Sequence, residues 1–479
     1  MNPIYLLLMP IGAALISLGL GKSVQLHKLL AVLVLVSSIA LLGLSFHDGF
    51  ENDSFSAPWI QTLGVYFAVA FTKLNFWFMM LTSIVVFAAA FVHITQNEDN
   101  LRTDVLALIY SLQLCLFMVF MAQDLLLFYF FFEVSILPIY FISSRYGSPA
   151  AVRATLKFFL YTLFGSLFML LAILYLYSAS NAGNFLMTSF VGSGLGADVQ
   201  HYLFLAFFLA FAIKMPLFPF HSWQSDAYSE SPVESTILMS GILLKMGIYG
   251  MLAIVLPMFP AGVKDLGYIF IGLSAFGVIY GALIATVQYD IRKILAFSSL
   301  SHVGLIGTGL LTYESTAMDG VVLQMFAHGI NITGLFFVSE IIIKRTGTRD
   351  VMQMGGLTQK SFSLTVLFFL FLLGSIAVPL SNGFPGEFQL LMGIFHYNPA
   401  LGVICGLTVI FSSVYMLRYF QKAMLGNPNG KFLENFKALS STETISLSVL
   451  ASLVLIFGLF PQVISSISSS ALHLLLLAY

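Results

Sequence analysis

The sequence predicts an all-α polytopic membrane protein with about 14 transmembrane helices, and three observations carry that prediction. First, 59% of the residues are hydrophobic and only 9% are charged, with a mean hydropathy of +0.96. Soluble domains carry about 25% charged residues, so water is the wrong solvent for most of this surface. Second, apolar runs close to the ~20 residues that span a bilayer recur along the whole chain. They do not alternate apolar and polar residues in segments of about 10, as outer-membrane barrels do. Third, two of the runs are interrupted by proline at matching places, the pattern of helices broken inside a membrane.

Taken in order, the first run, MNPIYLLLMPIGAALISLGLGK, lacks the basic start of a cleavable signal peptide and is expected to span at 3–20. Apolar stretches then place spans at 28–46, 75–95, 102–121, 124–143 and 154–178. The polar stretches 47–73 and 179–199 read as the longest loops of the first half. Spans follow at 200–220, 233–257, 266–288, 292–312 and 318–343, then at 361–394, 398–421 and 442–460. After Gln462 the tail VISSISSSALHLLLLAY reads as an amphipathic helix lying on the membrane surface. No soluble domain fits between any two spans.

Charge placement tests this order. Loops after odd-numbered spans, with adjoining helix ends, hold sixteen of the twenty Lys and Arg residues, among them Lys22, Arg102, Arg145, Arg292 and Lys344. Loops after even-numbered spans hold only Lys73 and Lys264. The asymmetry puts the odd loops in the cytoplasm and both termini outside, in an energy-transducing membrane such as the bacterial inner membrane. The two remaining cations, Lys214 and Lys245, lie inside spans. A net charge of -1 argues against a nucleic-acid partner. Cys115 and Cys405 are far apart, each in an apolar span, which excludes a cysteine-ligated iron–sulfur cluster, a CxxC pair or a disulfide framework.

Spans four to eight begin near Arg102 on the inside, and spans nine to thirteen begin near Asp265 on the outside. Five is odd, so tandem units of five helices have opposite orientations. The expected organisation is an N-terminal three-helix segment at 1–101, a first repeat at 102–257, an inverted second repeat at 258–425, and a C-terminal helix with its tail at 426–479. The seventh span is broken near 214–219, at Pro216 and Pro219 of AFAIKMPLFPFHSW. The twelfth is broken near 379–387, at Pro379, Gly383, Pro385 and Gly386 of VPLSNGFPGEF. Each broken helix is the fourth of its repeat.

Proline frees the carbonyl four residues earlier, here Ala212 beside Lys214, and Ser375. Freed backbone survives in hydrocarbon only where protein or water satisfies it, and an intramembrane lysine asks for the same. Both point to a hydrated internal site at mid-membrane depth. Glu133 in the fifth span, Lys214 in the seventh, Lys245 in the eighth, His302 in the tenth, His328 in the eleventh and Glu387 in the twelfth form a set of mixed sign, one per span. Burial disfavours the charged form of each, and an opposite charge favours it, so moving Glu133 relative to Lys214 would switch whether the lysine holds its proton. The set lacks metal-ligand clustering, and isolated His302 and His328 are a weak signal for haem ligation. Their plain reading is hydrogen bonding to neighbouring helices.

Other polar residues have plainer readings. His93 and His473 lie near span ends and read as interfacial; Asp124, Arg153 and Lys157 read as boundary anchors. Asp226, Glu230 and Glu234, after the seventh span, fit either proton gathering or simple solvation.

With these residues in hand, the chain resembles the antiporter-like subunits of respiratory complex I, a family shared with multisubunit sodium/proton antiporters and membrane-bound hydrogenases. DLLLFYFFFEVSILPIYF, IKMPLFPFHSWQSDAYSESP, GILLKMGIYG, DIRKILAFSSLSHVG and FAHGINITGLFFVSE carry the resemblance over about residues 100–425. Most relatives have lysine after the second break, whereas Glu387 in GFPGEF resembles the subunit M type. The resemblance implies proton translocation as part of NADH:quinone oxidoreductase, with Glu133 and Lys214 as an ion pair and Lys245, His302, His328 and Glu387 continuing a hydrated axis. It implies no cofactor in this chain; flavin, iron–sulfur clusters and quinone belong to partner subunits. Partners would be neighbouring antiporter-like subunits of the membrane arm, lipids, protons and internal water. Two departures bear on proton uptake: Gln224 and Ser225 stand where the family has Leu-Pro, and Glu234 replaces a small residue. A secondary cation/proton antiporter is the competing reading, but sodium asks for several clustered oxygen ligands, and no such cluster is visible. A structural spacer, whose charges merely satisfy one another, is the third.

Overall fold

The computed structural model describes residues 2–47, 49, 53–180, 182–192, 194–427 and 436–468. Twelve of its helices are long and apolar enough to cross a membrane. They are α2 (Val24–His47), α3 (Lys73–Gln96), α4 (Thr103–Met121), α5 (Leu125–Tyr146), α6 (Ala151–Ser180), α7 (Ala197–Lys214), α9 (Val233–Met258), α10 (Pro260–Val287), α11 (Ile291–Leu311), α12 (Ser315–Thr346), α15 (Pro399–Leu425) and α16 (Ser441–Leu459). Two expected spans are shorter: α1 (Ile4–Gly19) has 16 residues and α13 (Phe362–Ser375) has 14. Short α8 (Gln224–Glu230) follows the first break, and α14 (Gly383–Tyr397) follows the second. The chain is helical again over 462–468; the rest of the expected surface helix, with His473, lies outside the described residues.

The chain packs as two units. One is built chiefly from Met1–Pro216 and Glu230–Ile269, the other from Leu217–Ser229 and Phe270–Ser469.

In the first unit, the stretch 47–73, expected to be a loop, contains an antiparallel hairpin. Strand β1 (Ser54–Ile60) pairs with β2 (Val65–Ala70), with a bulge between Pro58 and Ile60. Proline cannot donate to a ladder, and the bulge lies beside it. The turn closes on Gly64, whose φ of 69° and close approach to the Gly183 carbonyl exclude a side chain. Asp124 ties the hairpin to the membrane helices. Its carboxylate accepts from the backbone amides of Leu126 (2.9 Å) and Leu127 (3.1 Å), capping α5, and from Tyr66 of β2 (3.0 Å). Asp124 is therefore an anchor. Asn75 closes a capping box with Thr72 at the start of α3 and donates to the carbonyls of Ala70 and Phe120, both at 2.9 Å.

In the second unit, α11 and α12 are the interior helices, with 94% and 100% of their apolar windows buried, while α15 and α16 show about a third. In the first unit α9 is equally enclosed, at 94%. These three interior helices carry Lys245, His302 and His328, so half of the expected ionisable set sits on the most enclosed spans, while Glu133 and Lys214 lie on spans that are about half enclosed.

The break between α13 and α14 is tightly built. Ala377 and Leu380 hold φ of 54° and 74°, a left-handed conformation rare outside glycine. Gly383 packs where an added Cβ would stand 2.1 Å from the Gly374 carbonyl oxygen. The C-terminal helix completes the arrangement: the Asn382 amide donates to the Val454 carbonyl of α16 at 2.9 Å, and Gly458 lies against Leu380.

Candidate functional site

The first unit holds three of the expected residues. Glu133 is half-buried on α5, whose helical ladder is interrupted at Ser135. Pro138 accounts for that, because its ring clashes with the carbonyl of Val134. Ser135 turns its hydroxyl back onto the Phe132 carbonyl at 2.7 Å. Lys214 ends α7, just before Pro216, and is 2% exposed. Its ammonium lies 4.7 Å from the centre of the Phe132 ring and 5.9 Å from that of Phe158, a cation–π cradle. Glu133 is the carboxylate that acts on it electrostatically, while the nearby Ser166 hydroxyl donates to the Leu163 carbonyl at 3.0 Å. The two groups thus lie within electrostatic reach of each other, Lys214 enclosed and Glu133 half-buried.

Lys245 is completely buried on α9. The helix widens to π geometry at Met239–Leu243 and again at Met251–Val255, on either side of it. The wider turn shifts the backbone pairing, and the lysine ammonium donates to the Ser240 carbonyl at 2.8 Å. The first widening contains Gly241, Gly250 directly precedes the second, and neither segment contains a proline.

In the second unit His302, His328 and Glu387 converge. The imidazoles of His302 (α11) and His328 (α12) have ring centres 5.8 Å apart. Nδ1 of His302 lies 3.9 Å from the Glu387 carboxylate, beyond direct hydrogen bonding. Both histidines line a small polar cavity with Ser298, Gln324, Asn331 and Ser375. Ser375 is the residue whose carbonyl Pro379 was expected to free, and α13 ends there. Both ring nitrogens of His302, both carboxylate oxygens of Glu387 and the amide oxygens of Gln324 and Asn331 are buried without a protein hydrogen-bond partner. Groups of this kind, facing a polar cavity, are where internal water binds. Tyr415 closes one side, its hydroxyl 3.0 Å from that of Ser298.

Sequence reasoning missed two buried pairs. His93, expected to be interfacial, is 2% exposed on α3, and its Nδ1 lies 3.0 Å from Oε1 of Glu234, at the start of α9. Glu234 is buried, not solvated; Asp226, by contrast, is exposed. In the second unit Arg292, at the start of α11, bonds Glu340 of α12 at 2.7 Å and the Ser229 carbonyl at 3.0 Å. Both pairs join residues dozens of positions apart, so no local pattern marks them.

The profile of the NADH:quinone oxidoreductase/Mrp antiporter transmembrane family matches residues 122–413, which contain all six expected site residues. The chain belongs to the NADH:quinone oxidoreductase/Mrp antiporter family. Among its relatives in that family, the NADH-quinone oxidoreductase subunit M of Rickettsia conorii is 32% identical over 421 residues, 88% of this chain and 85% of that protein. The subunit M of Escherichia coli K12 is 33% identical over 431 residues, 88% and 84% respectively. Among solved structures, the respiratory complex I from Thermus thermophilus with bound NADH contains a chain that superposes with a TM-score of 0.90 at 30% identity, covering 99% of both chains. The antiporter family and its subunit M branch were legible in the motifs and in Glu387.

Proposed function

We propose that this chain is a proton-translocating subunit in the membrane arm of an NADH:quinone oxidoreductase. It would sit in an energy-transducing membrane, the bacterial inner membrane, with both termini outside. Redox chemistry on flavin, iron–sulfur clusters and quinone would take place in partner subunits, and neighbouring antiporter-like subunits would flank it. The two five-helix repeats, 102–257 and 258–425, would each supply half of the proton route.

One observation carries this reading: four of the six ionisable groups lie where their helices are interrupted. Lys214 ends α7, Glu133 adjoins the kink at Ser135, Lys245 follows a π turn, and Glu387 follows the break before α14. Interruptions give a helix local freedom to shift. They also supply backbone acceptors that an apolar span lacks. A unit charge pair in an effective dielectric near 20 is worth about 4 kcal/mol at 4 Å and about half that at 8 Å. Moving Glu133 by a few ångström relative to Lys214 therefore changes the energy of the lysine proton by about 2 kcal/mol. Moving one proton against 100 mV costs about 2.3 kcal/mol, so the two are matched in scale.

The test is Lys214→Met in the assembled complex, measured in inside-out vesicles as protons moved per electron transferred. The expected result is loss of the pumping assigned to this subunit, with slower electron transfer if the steps are tightly coupled. Normal turnover with an undiminished proton-to-electron ratio would leave the charges as mutual ballast and overturn the reading.

A further inference from the structure

Among the buried titratable groups outside the expected axis, the His93–Glu234 pair has the most specific geometry. His93 Nε2 lies 3.1 Å from the carbonyl oxygen of Arg102, which can only accept, so Nε2 carries a hydrogen. His93 Nδ1 lies 3.0 Å from Oε1 of Glu234. A neutral imidazole protonated at Nε2 would point a lone pair at the carboxylate there. The contact thus requires one more proton, either on Nδ1 as an imidazolium facing a carboxylate or on Oε1 as a carboxylic acid facing a neutral ring. The side-chain amide of Asn97 stands 3.5 Å from the same Nδ1 while donating to the His93 carbonyl at 2.8 Å. A donor is in place for the ring nitrogen when that proton leaves.

We propose that His93 and Glu234 form a proton-loading site, a buried pair that takes one proton from the side of the Lys- and Arg-rich loops and releases it into the first unit along α9. This rests on the proton-translocation reading above. Arg102 and Glu98 flank the end of α3, which places the pair beside the basic loops. The neighbouring charged groups are engaged elsewhere: the Arg102 guanidinium lies 4.2 Å from the Tyr146 ring centre, and Asp104 receives the Tyr146 hydroxyl and Arg145. Glu230 receives the hydroxyl of Ser148. Beyond Glu234, α9 presents a succession of buried hydroxyls, Ser235, Thr236 and Ser240, before Lys245. Ser240 donates to the Thr236 carbonyl at 2.7 Å, and Lys245 to the Ser240 carbonyl at 2.8 Å. The proton accepted between Nδ1 and Oε1 leaves to the Lys245 amine when that amine is unprotonated, and the pair reloads from solvent.

The experiment uses the whole complex in inside-out vesicles carrying Glu234→Gln, which keeps the shape and the hydrogen bond but cannot ionise. Pumping is measured across a range of outer-bath pH. The expected result is normal assembly, the pumping assigned to this subunit lowered by about a hundredfold, the low end of what positioned proton-transfer groups contribute, and an alkaline limb moved to lower pH. Glu234→Asp should restore much of the rate. Unchanged pumping and an unchanged pH profile in Glu234→Gln would overturn the proposal. If that variant does not assemble, His93→Gln reads the same prediction from the other partner, and failure of both would mark the pair as scaffold and also overturn it. A Lys214→Met complex run alongside separates the two readings: loss there, with none at Glu234, sinks the loading site alone, whereas normal pumping there sinks the translocation reading.

Discussion

Removing the carboxylate of Glu340 should be among the most damaging single changes in the second unit. Glu340 and Arg292 meet at 2.7 Å with side chains 9% and 8% exposed, and the same guanidinium also holds the Ser229 carbonyl. Glu340→Leu leaves the guanidinium buried without its counter-charge. Breaking one side of such a pair costs about 3–5 kcal/mol, mostly the penalty of an uncompensated buried charge. That corresponds to roughly two to nearly four orders of magnitude in the unfolding equilibrium. The double substitution Arg292→Met with Glu340→Leu removes both charges and should recover most of the loss. Unfolding of the purified subunit in mixed micelles on titration with dodecyl sulfate, followed by tryptophan fluorescence, reads this out, since buried Trp223 packs beside Tyr228 close to Ser229. A single-variant cost below about 1 kcal/mol, or a double variant no better than the single, would refute the argument that desolvated charge dominates here.

Two other changes test the local geometry by the same titration. Gly383→Ala drives a Cβ to 2.1 Å from the Gly374 carbonyl, so α13 and α14 must part; the expected cost is about 3 kcal/mol, and a change within about 0.5 kcal/mol would show the break to be compliant. Asp124→Ala removes the cap of α5 and the tie to Tyr66, with an expected cost of about 3 kcal/mol. Asp124→Asn retains an acceptor oxygen and should cost under about 1 kcal/mol; equal losses in both would assign the effect to charge instead of capping.

Much of this molecule was legible before any coordinates, because a bilayer makes local signals decisive. Apolar run length marked the spans, and Pro216 and Pro379 marked the ends of α7 and α13, since proline acts on its own helix and the sequence shows it directly. The charges Lys214, Lys245 and Glu387 stood out against apolar neighbours for the same reason. What stayed hidden depends on distant partners or on weak local contrast. The hairpin at 54–70 was masked by Pro58 and by the shortness of its two strands, far below the length of a span. The pairing of His93 with Glu234 spans 141 positions, and neither residue departs from its local context enough to betray the other. The π turns beside Lys245 are marked only by Gly241 and Gly250, and glycine is too common in membrane helices to announce them. Of the six expected residues, His302, His328 and Glu387 share one cavity edge or contact, a convergence that only the tertiary fold supplies.

The clamp of α16 on the second break has a consequence for biogenesis. The backbone of Asn382 finds its acceptor at Val454, and Leu380 is seated against Gly458, residues translated some seventy positions later. While a nascent chain is still emerging, α13 and α14 are therefore already in the bilayer with their junction unsealed. Maturation of the Glu387 side of the molecule waits for the final helix to be inserted, which makes the C-terminal span the last gatekeeper of a working subunit.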